Sequence, residues 1–377
     1  MRILHVISSL KIGGAEQALF QLLSRLSSCE NHVAYFHSGP FLENIKKLYI
    51  PTYHVRGIAH CDPFAFVKLY NIIKRVQPDV IHSSLWFANM SSRLLGAWHD
   101  IPVVDDLHGN AVHEGAFRNW CDRQTAHMPA AHVAVSQSVY DVYKKNIIDQ
   151  IKNTKKREQA LNALRVIANG IDAQQITQNA LENPLLRCEL GLSEDAFVIG
   201  SVGRLEPIKS YDVLMKAFAA LKKLYQERQI KLCLVGGGSQ LENLKQLASR
   251  LGIADHVIFT GFRNDAYRFY PLFNCFALSS QSEGLSMALL EALAFGLPIV
   301  STHLLQVHDV IVHGKHGFLV LPNDVDAFVQ ALLLLCRDSD LVTQIQKENQ
   351  ELVRAMFDLR LTVHAYQQLF YTCFNTK

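Results

Sequence analysis

The chain has 377 residues, of which 49% are hydrophobic and 19% are charged, and its net charge is +3. This length corresponds to two domains at roughly 100–200 residues each, and the apolar residues suffice for two cores. So slight a positive charge is not typical of a nucleic-acid-binding protein, in which basic residues concentrate on one face. We therefore predict no nucleic-acid partner.

The cysteines and the apolar runs restrict where the protein works. The eight cysteines occur singly, without the paired spacing of a metal site. No apolar run reaches the ~20 residues that span a bilayer, and the first residues enter a strand pattern directly, unlike a signal peptide. We expect a reduced, cytoplasmic protein that is soluble or is peripheral at the inner face of the plasma membrane.

Short β-rich runs alternate with helical patterns through the first half of the chain. The predicted strands are residues 2–7, 32–36, 80–82, 102–105, 132–135 and 166–168, and the predicted helices are residues 15–26, 63–76, 88–98 and 139–145. This alternation is typical of a parallel sheet covered by helices. The first half therefore predicts one Rossmann-like domain, over residues 1–172.

The second half repeats the plan after a stretch rich in Asn and Gln, residues 173–192, which predicts a linker. Its predicted strands are 197–202, 231–235, 257–260, 275–278, 298–301 and 318–320, and its predicted helices are 211–224, 241–251, 287–295 and 325–336. Residues 193–351 would form a second Rossmann-like domain, and a last helix, residues 352–377, would cross back to the first. We predict an α/β fold of two parallel-sheet domains facing across a cleft, with ligands beyond the carboxyl ends of the strands.

Two cations follow the first strand of the second half. Arg204 and Lys209 lie five residues apart in Gly-Arg-Leu-Glu-Pro-Ile-Lys, just before the helix predicted from residue 211. Cationic side chains together with helix N–H groups suit a diphosphate. A surface loop with two ordinary cations remains the alternative for this segment alone.

Two acids flank the start of the helix predicted at 287–295. Glu283 lies in a loop after a strand, Gly284 lets a ligand approach the backbone, and Ser286 can cap the helix, which would leave the N–H of Leu285 at its start. Glu291 lies about one turn inside that helix. One carboxylate can then reach a sugar hydroxyl and the other a ribose.

With these two segments, nearly the whole chain resembles the family 4 retaining glycosyltransferases, which have the GT-B fold. In that family, two glutamates with this spacing contact the donor sugar and its ribose, and the resemblance assigns those roles to Glu283 and Glu291. It likewise assigns the diphosphate to Arg204 and Lys209. The resemblance implies a nucleotide-sugar donor and a metal-independent reaction without a cofactor.

Three shorter segments match the family less specifically. Gly13 and Gly14 follow the first strand and open a helix, as does a family loop whose backbone faces the diphosphate. The run Asn-Gly-Ile-Asp at 169–172 matches the end of the family's first domain. Phe262, in Phe-Thr-Gly-Phe, matches a segment near the nucleotide base.

His108 follows a strand of the first half in Asp-Asp-Leu-His-Gly. The family carries a histidine here that faces the donor sugar, although a single histidine among 17 is more often an ordinary loop or core residue. His113 and Glu114 are alternatives for acceptor contacts. The resemblance thus implies a catalytic set of His108, Glu283, Arg204 and Lys209.

Three other patterns in the sequence suggest different functions or contacts. Asp324 and Asp326 resemble a metal-binding Asp-x-Asp, but their place before a helix favours capping. The triplet 236–238 lacks the third glycine of a dinucleotide fingerprint. Residues 144–165 are rich in lysine and arginine with interleaved isoleucines, which predicts either a basic amphipathic helix on an anionic membrane or a solvated face.

The sequence therefore predicts transfer of a sugar from a nucleotide-diphosphate sugar, with UDP favoured and GDP second. The expected acceptor is a saccharide or a lipid-linked saccharide in lipopolysaccharide, capsule or exopolysaccharide synthesis. A nucleotide-sugar epimerase or hydrolase on the same fold is one alternative. A non-catalytic nucleotide-sugar-binding protein is the other.

Overall fold

The structure, a computed structural model, describes residues 1–55, 63–109 and 115–376. The chain divides into two compact units, Met1–Gly170 with Leu359–Lys377, and Ile171–Asp358. His113 and Glu114 lie outside the described residues. Among the described helices, none is both long and apolar enough to cross a membrane.

The first unit is a seven-stranded sheet in which every neighbouring pair of strands is parallel, in the order β3-β2-β1-β4-β5-β6-β7. The central strands β1 and β4 are buried on both faces, through apolar residues such as Ile3 and Ile81 and also through the polar His5 and His82. The elements in chain order are β1 Arg2–Ser9, α1 Gly14–Arg25, β2 Glu30–His37, α2 Phe41–Lys47, β3 Thr52–His54, α3 Pro63–Val76, β4 Val80–Ser84, α4 Trp86–His99, β5 Val103–Leu107, α5 Ala116–Thr125, β6 Ala131–Ala134, α6 Gln137–Asn146, α7 Thr154–Ala163 and β7 Leu164–Val166.

The second unit is a six-stranded parallel sheet in the order β10-β9-β8-β11-β12-β13. Its core packs α9 and α13 against the sheet through residues such as Phe218 and Phe328. The elements are α8 Ala173–Glu182, β8 Phe197–Val202, α9 Tyr211–Leu224, β9 Ile230–Val235, α10 Leu241–Arg250, β10 Val257–Phe259, β11 Cys275–Leu278, α11 Met287–Ala294, β12 Ile299–Thr302, α12 Leu305–His308, β13 Gly317–Val320, α13 Val325–Arg337 and α14 Ser339–Met356.

The chain then returns to the first unit in its last helix, α15 Leu359–Asn375. Apolar side chains of α15, including Val363 and Phe370, lie in one buried cluster with Ile3 and Val80 of the first sheet. Gly170 packs tightly here, because a Cβ at that position would lie 2.5 Å from Thr362 Oγ1. The last helix is therefore an integral part of the first unit's core.

The predicted α/β fold class is confirmed, and so is every predicted strand, with bounds that differ by a few residues. The sequence missed β3 and the helices α2, α5, α7, α8 and α12, as well as most of α14. Helix α5 shows why, because the side chains that it buries are the polar Asp122 and Thr125, so it has no apolar stripe. A helix held by polar contacts leaves little periodic signal.

Two predicted boundaries are wrong. Residues 173–192 are not a separate linker, because they contain α8 and belong to the second unit, where Arg268 donates hydrogen bonds to the backbone oxygens of Asn183 and Pro184. The predicted helix 352–377 is instead the end of α14, which begins at Ser339, followed by a break and α15. Between them, Ile171 N donates to Phe357 O over 2.7 Å, so the segments that enter and leave the second unit pair with each other.

The basic segment 144–165 is not the amphipathic helix that the sequence allowed. It contains the end of α6, a short 3₁₀ turn, α7 and the start of β7. Its interleaved apolar residues Ile147, Ile148 and Ile151 are buried in a cluster of the first unit. No apolar face is left for a bilayer, although Lys152, Lys155 and Lys156 are exposed.

A buried ion cluster lies under β5. Arg93, 1% exposed, donates from Nε to Asp105 Oδ2 over 2.6 Å and from Nη1 to Asp122 Oδ1 over 2.5 Å. His132 Nδ1 lies 2.5 Å from the other oxygen of Asp105. Charges in a protein interior persist only when they are paired, so these groups depend on one another.

We predict that Arg93→Met lowers the free energy of unfolding of the first unit by about 3–5 kcal/mol, because it leaves two buried carboxylates without their cation. Urea unfolding followed by tryptophan fluorescence measures this selectively, since all three tryptophans lie in the first unit, at Trp86, Trp98 and Trp120. Lys144→Met is the control, because the Lys144–Asp149 pair is exposed and should contribute under about 1 kcal/mol. Equal losses in the two variants would contradict the prediction.

Candidate functional site

The strand order of the second sheet reverses at β8, which has β9 on one side and β11 on the other. Loops that leave the carboxyl ends of two such strands diverge to opposite sides and leave a crevice, where ligands of doubly wound sheets bind. The loop after β8 carries Arg204 and Lys209, and the loop after β11 carries Glu283. The predicted cations and the first predicted acid thus belong to the two loops at this switch point.

Lys209 and Glu283 are joined directly. Lys209 Nζ donates to Glu283 Oε1 over 2.5 Å, and both side chains are largely buried, at 16% and 8% exposure. Ser280 Oγ donates to the same carboxylate oxygen over 2.5 Å. Because an ammonium group has three donors, Lys209 can hold Glu283 and still donate to an anionic ligand.

The backbones of the two loops are tied together as well. Ser279 Oγ donates to Lys209 O over 2.8 Å, and Gln281 N donates to Ile208 O over 2.8 Å. From the next strand, Thr302 Oγ1 donates to Ser280 O over 2.6 Å. These bonds fix the geometry of Lys209 and Glu283 before any ligand arrives, which lowers the ordering cost of binding.

The glycine triplet after β9 supports the loop that carries the cations. A Cβ at Gly236 would lie 1.9 Å from Gly203 O, and one at Gly238 would lie 2.4 Å from Leu205 O. Leu205 N donates to Gly237 O over 2.9 Å, which locks the two loops together. Close backbone packing therefore explains these glycines without any dinucleotide.

Helix α11 begins at this edge, and its predicted cap is confirmed. Ser286 Oγ accepts a hydrogen bond from Leu289 N. The first N–H groups of a helix have no partner within it and attract anions. Gly284 and Leu285 lead into this start, so backbone donors lie directly after Glu283 in the chain.

Glu291 is buried in the second turn of α11. It accepts a hydrogen bond from Tyr270 Oη over 2.6 Å, and burial together with the charge of Glu291 raises the pKa of Tyr270 well above its usual value. The sequence did not indicate this partner, because Tyr270 lies in no motif. Tyr270 limits the directions in which the carboxylate can face.

Arg204 and Phe262 are the exposed members of the predicted set. Arg204 has its side chain in solvent, and its charge contributes, after the hydrogen bonds from Ser239, to lowering the pKa of Glu206. Phe262 is 46% exposed and lies against the glycine triplet, 3.6 Å from the Cβ position of Gly237. An exposed ring next to backbone glycines can stack on a planar base.

The remaining predicted residues lie in the first unit. Gly13 precedes α1 in an extended conformation and Gly14 is the first residue of that helix, at the carboxyl end of β1. His108 follows β5, and its side chain is 12% exposed with Nε2 lying 3.7 Å from Asp106 Oδ2. Contacts of these three residues with a donor stay predictions.

At residues 324 and 326 the structure shows helix capping. Asp324 caps α13 by accepting a hydrogen bond from Ala327 N over 2.9 Å, as predicted, and Asp326 lies in the first turn. Within residues 1–55, 63–109 and 115–376, no cluster of three or more His, Cys, Asp or Glu side chains has the geometry to hold a metal ion.

Two parallel Rossmann-like sheets, with cations and carboxylates at the switch point of the second, define the GT-B class. Residues 12–175 match the family described as Glycosyltransferase Family 4, and residues 182–352 match Glycosyl transferases group 1. The chain belongs to the family 4 glycosyltransferases.

Solved structures and curated relatives agree with this assignment. Anabaena Alr3699/HepE in complex with UDP and glucose superposes with a TM-score of 0.84 at 22% identity, over 99% of this chain and 100% of that one. D-inositol 3-phosphate glycosyltransferase of Corynebacterium urealyticum is 30% identical over 70% of this chain and 64% of its own length.

A second curated relative aligns over more of its length than the Corynebacterium urealyticum enzyme does. The UDP-Gal:alpha-D-GlcNAc-diphosphoundecaprenol alpha-1,3-galactosyltransferase of Escherichia coli is 24% identical over 83% of this chain and 81% of its own. Across three other curated relatives, the aligned part of this chain spans 42%, 52% and 66% of their lengths.

We predict that Gly236→Ala displaces the loop over residues 203–209, whereas Gly237→Ala does not. The first substitution places a Cβ 1.9 Å from a carbonyl oxygen at a φ of +148°, while the second meets only ordinary contacts at 3.5 Å and beyond. Hydrogen exchange of peptides that cover residues 203–209 measures the difference. We expect faster exchange in Gly236→Ala alone, equivalent to about 1–3 kcal/mol of local stability.

Equal exchange in Gly236→Ala and in the unsubstituted protein would contradict this account of the triplet. The same result in Gly237→Ala as in Gly236→Ala would show that the steric argument does not separate the two positions.

Proposed function

We propose that this chain is a retaining glycosyltransferase that uses a nucleotide-diphosphate sugar as donor. The observation that carries the proposal is the pre-formed Lys209–Glu283 pair at the switch point of the second sheet, with the start of α11 directly beyond it. A cation suits the diphosphate, a carboxylate suits the sugar hydroxyls, and helix N–H groups suit either phosphate or sugar oxygens.

The reaction that fits these groups breaks the bond between the anomeric carbon and the diphosphate oxygen. Lys209, Arg204 and the N–H groups at the start of α11 would stabilise the negative charge that develops on the leaving diphosphate. The acceptor hydroxyl would form the new bond on the face from which the diphosphate departs, and its proton would pass to the departing phosphate oxygen. Glu283 would hold the donor sugar, and Glu291 the ribose.

The family resemblance assigns His108 to the donor sugar, and we keep that assignment as part of the proposal. The same resemblance assigns the loop at Gly13 and Gly14 to the diphosphate and Phe262 to the nucleotide base. We further propose that the reaction requires no metal ion, because Lys209 and Arg204 supply the positive charge that a divalent cation would otherwise supply.

UDP is the favoured nucleotide and GDP the second choice. The solved structure of Alr3699/HepE contains UDP, and the Escherichia coli relative is named for UDP-Gal and a diphosphoundecaprenol acceptor. The diphosphoundecaprenol in that name supports a lipid-linked acceptor. We propose a saccharide or lipid-linked acceptor in cell-surface glycan synthesis, such as lipopolysaccharide, capsule or exopolysaccharide.

We predict that Lys209→Ala and Glu283→Gln each lower kcat for sugar transfer by about 10²–10³-fold, because each removes a group that faces the charge or the sugar in the transition state. The assay combines UDP-sugars and GDP-sugars with saccharide and lipid-linked acceptors, and it follows both nucleotide release and glycosylated product. Lys216→Ala is the matched control, since Lys216 is an exposed lysine on the neighbouring α9 that pairs with Asp212.

Several outcomes of this assay decide between the functions. Full transfer activity in Lys209→Ala would contradict the role proposed for Lys209 at the diphosphate. Donor turnover without an acceptor would indicate the epimerase or hydrolase. Saturating UDP at 100 times its dissociation constant should stabilise the protein by about 2.7 kcal/mol. That stabilisation without any transfer would indicate a binding protein, and loss of transfer in EDTA would contradict the metal-independent mechanism.

An electrostatic membrane contact remains part of the proposal for a lipid-linked acceptor. Because the isoleucines of residues 144–165 are buried, only the exposed cations, such as Lys152, Lys155 and Lys156, could contact anionic headgroups, at about 1 kcal/mol each near the surface. Such binding would weaken steeply with salt.

We predict that replacing Lys152, Lys155 and Lys156 by Gln reduces binding to phosphatidylglycerol vesicles by about 3 kcal/mol, or roughly 100-fold. Vesicle sedimentation at low and physiological salt measures the partition coefficient. Neutralising three exposed lysines of the second unit, Lys216, Lys223 and Lys245, is the control for net charge. An equal loss in both triple variants would show that the segment has no specific role.

A further inference from the structure

A buried chain of polar side chains crosses the first unit and ends next to His108. It runs over three neighbouring strands, β1, β4 and β5, through His5, His82 and Asp106. His5 Nδ1 lies 2.9 Å from His82 Nδ1, and His82 Nε2 lies 2.8 Å from Asp106 Oδ2. All three side chains are almost fully buried, although none belongs to the site proposed above.

The protons of this chain can be counted from its far end. Asn31 donates both amide hydrogens, to Leu26 O over 2.7 Å and to Cys29 O over 3.1 Å. Its Oδ1 is therefore the atom that faces His5 Nε2, at 3.0 Å, and it can only accept. His5 must carry its proton on Nε2.

Because His5 is neutral, only one of its two ring nitrogens carries a proton. Burial, reinforced by the charge of His82, lowers the pKa of His5 to about 3. With Nε2 protonated, Nδ1 of His5 has no proton and accepts. The neighbouring Nδ1 of His82 must then be the donor in that contact.

His82 thereby needs a second proton. Its Nδ1–H is used on His5, and its Nε2 faces a carboxylate oxygen that also accepts a hydrogen bond from Ser84 Oγ over 2.9 Å. The carboxyl group of Asp106 also accepts a hydrogen bond from Tyr366 Oη over 2.7 Å, and two hydroxyl donors favour its ionised form over the acid. Because a carboxyl group is a stronger acid than an imidazolium, the shared proton is assigned to His82, which is then an imidazolium.

Helix α15 contributes two further contacts to this network. Tyr366 Oη of α15 donates to Asp106 Oδ1 over 2.7 Å, and Phe370 lies edge-on to the His82 ring with centroids 5.5 Å apart. Asp106 thus accepts three hydrogen bonds from named donors. Two of these hydrogen bonds are on Oδ2 and one is on Oδ1, so of the carboxylate's about four acceptor positions the one that remains is on Oδ1.

His108 carries a donor that lacks a partner and lies next to this carboxylate. Its Nε2 is buried, makes no hydrogen bond and lies 3.7 Å from Asp106 Oδ2, which is about 1 Å beyond hydrogen-bond distance. Buried polar atoms without a partner are uncommon in folded proteins. A small rotation of the His108 ring would bring its Nε2–H onto the carboxylate.

We propose that the buried His82–Asp106 ion pair holds Asp106 as a permanent acceptor, and that Asp106 is a positioning residue for His108, which it holds as the Nε2–H tautomer. The charge of His82 and the tautomer of His108 are inferred from the contacts within the first unit. The consequence for sugar transfer rests on the role proposed above for His108. His108 would then present its unprotonated Nδ1 in one fixed orientation.

Nitrogen-15 NMR of the unsubstituted protein, labelled at histidine, tests the charge of His82 and the tautomer of His108, and single variants serve only to assign the signals. At pH 8, where exposed histidines are neutral, the signal lost in His82→Gln should show two protonated ring nitrogens. The signal lost in His108→Gln should show a protonated Nε2 and an unprotonated Nδ1. A neutral His82, or a His108 protonated mainly on Nδ1, would overturn the proposal.

Asp106→Asn tests the coupling, with Tyr366→Phe as its control, since the latter removes a hydrogen bond from Asp106 and keeps its charge. Asp106→Asn should return His82 to a neutral ring, mix the tautomers of His108 and lower kcat for transfer by about 10- to 100-fold, with UDP affinity within about twofold. Tyr366→Phe should leave His82 as an imidazolium. Unchanged His108 tautomers in Asp106→Asn would refute the positioning role.

The two proposals fail separately. An unsubstituted protein that shows both NMR signatures but transfers no sugar would refute the proposed function alone. Transfer by an unsubstituted protein in which His82 is neutral would refute this inference alone.

Discussion

The arrangement of the second unit depends on where its parallel sheet changes direction. Because β8 lies between β9 and β11, segments that are separated by more than 70 residues in the chain leave the same edge of the sheet side by side. Lys209 and Glu283 can pair only because of this order. The hydroxyls of Ser279, Ser280 and Thr302 then bind the loops to one another, and the glycine triplet lets their backbones approach. Backbone geometry therefore determines where the charged side chains of the site meet.

The first unit uses ionised groups in another way. Asp105 and Asp106 are consecutive residues of β5, so their side chains point to opposite faces of the sheet. Asp105 pairs with Arg93 and His132 on one face, and Asp106 pairs with His82 beneath α15 on the other. One strand thereby anchors two separate buried charge networks, and the loop that carries His108 begins directly after it. Rigidity at the end of β5 is the common physical consequence.

Sequence reasoning succeeded where the signal is local. Strands with apolar runs and the caps at Ser286 and Asp324 are properties of short segments, and the fold class follows from the alternation of strands and helices. It failed where polar contacts decide. Helix α5 buries polar residues, and the segment directly after α8 is held to the second unit by hydrogen bonds from the Arg268 side chain to the backbone oxygens of Asn183 and Pro184.

By itself, the sequence determined the two-sheet α/β architecture and the identity of the charged residues after the strands, because periodicity and motif spacing are written along the chain. Only the tertiary structure decided which of those residues touch. The Lys209–Glu283 pair, the Tyr270–Glu291 hydrogen bond and the line from Asn31 through His82 to Asp106 join residues far apart in sequence. Such contacts depend on strand order and helix packing, which no short segment encodes.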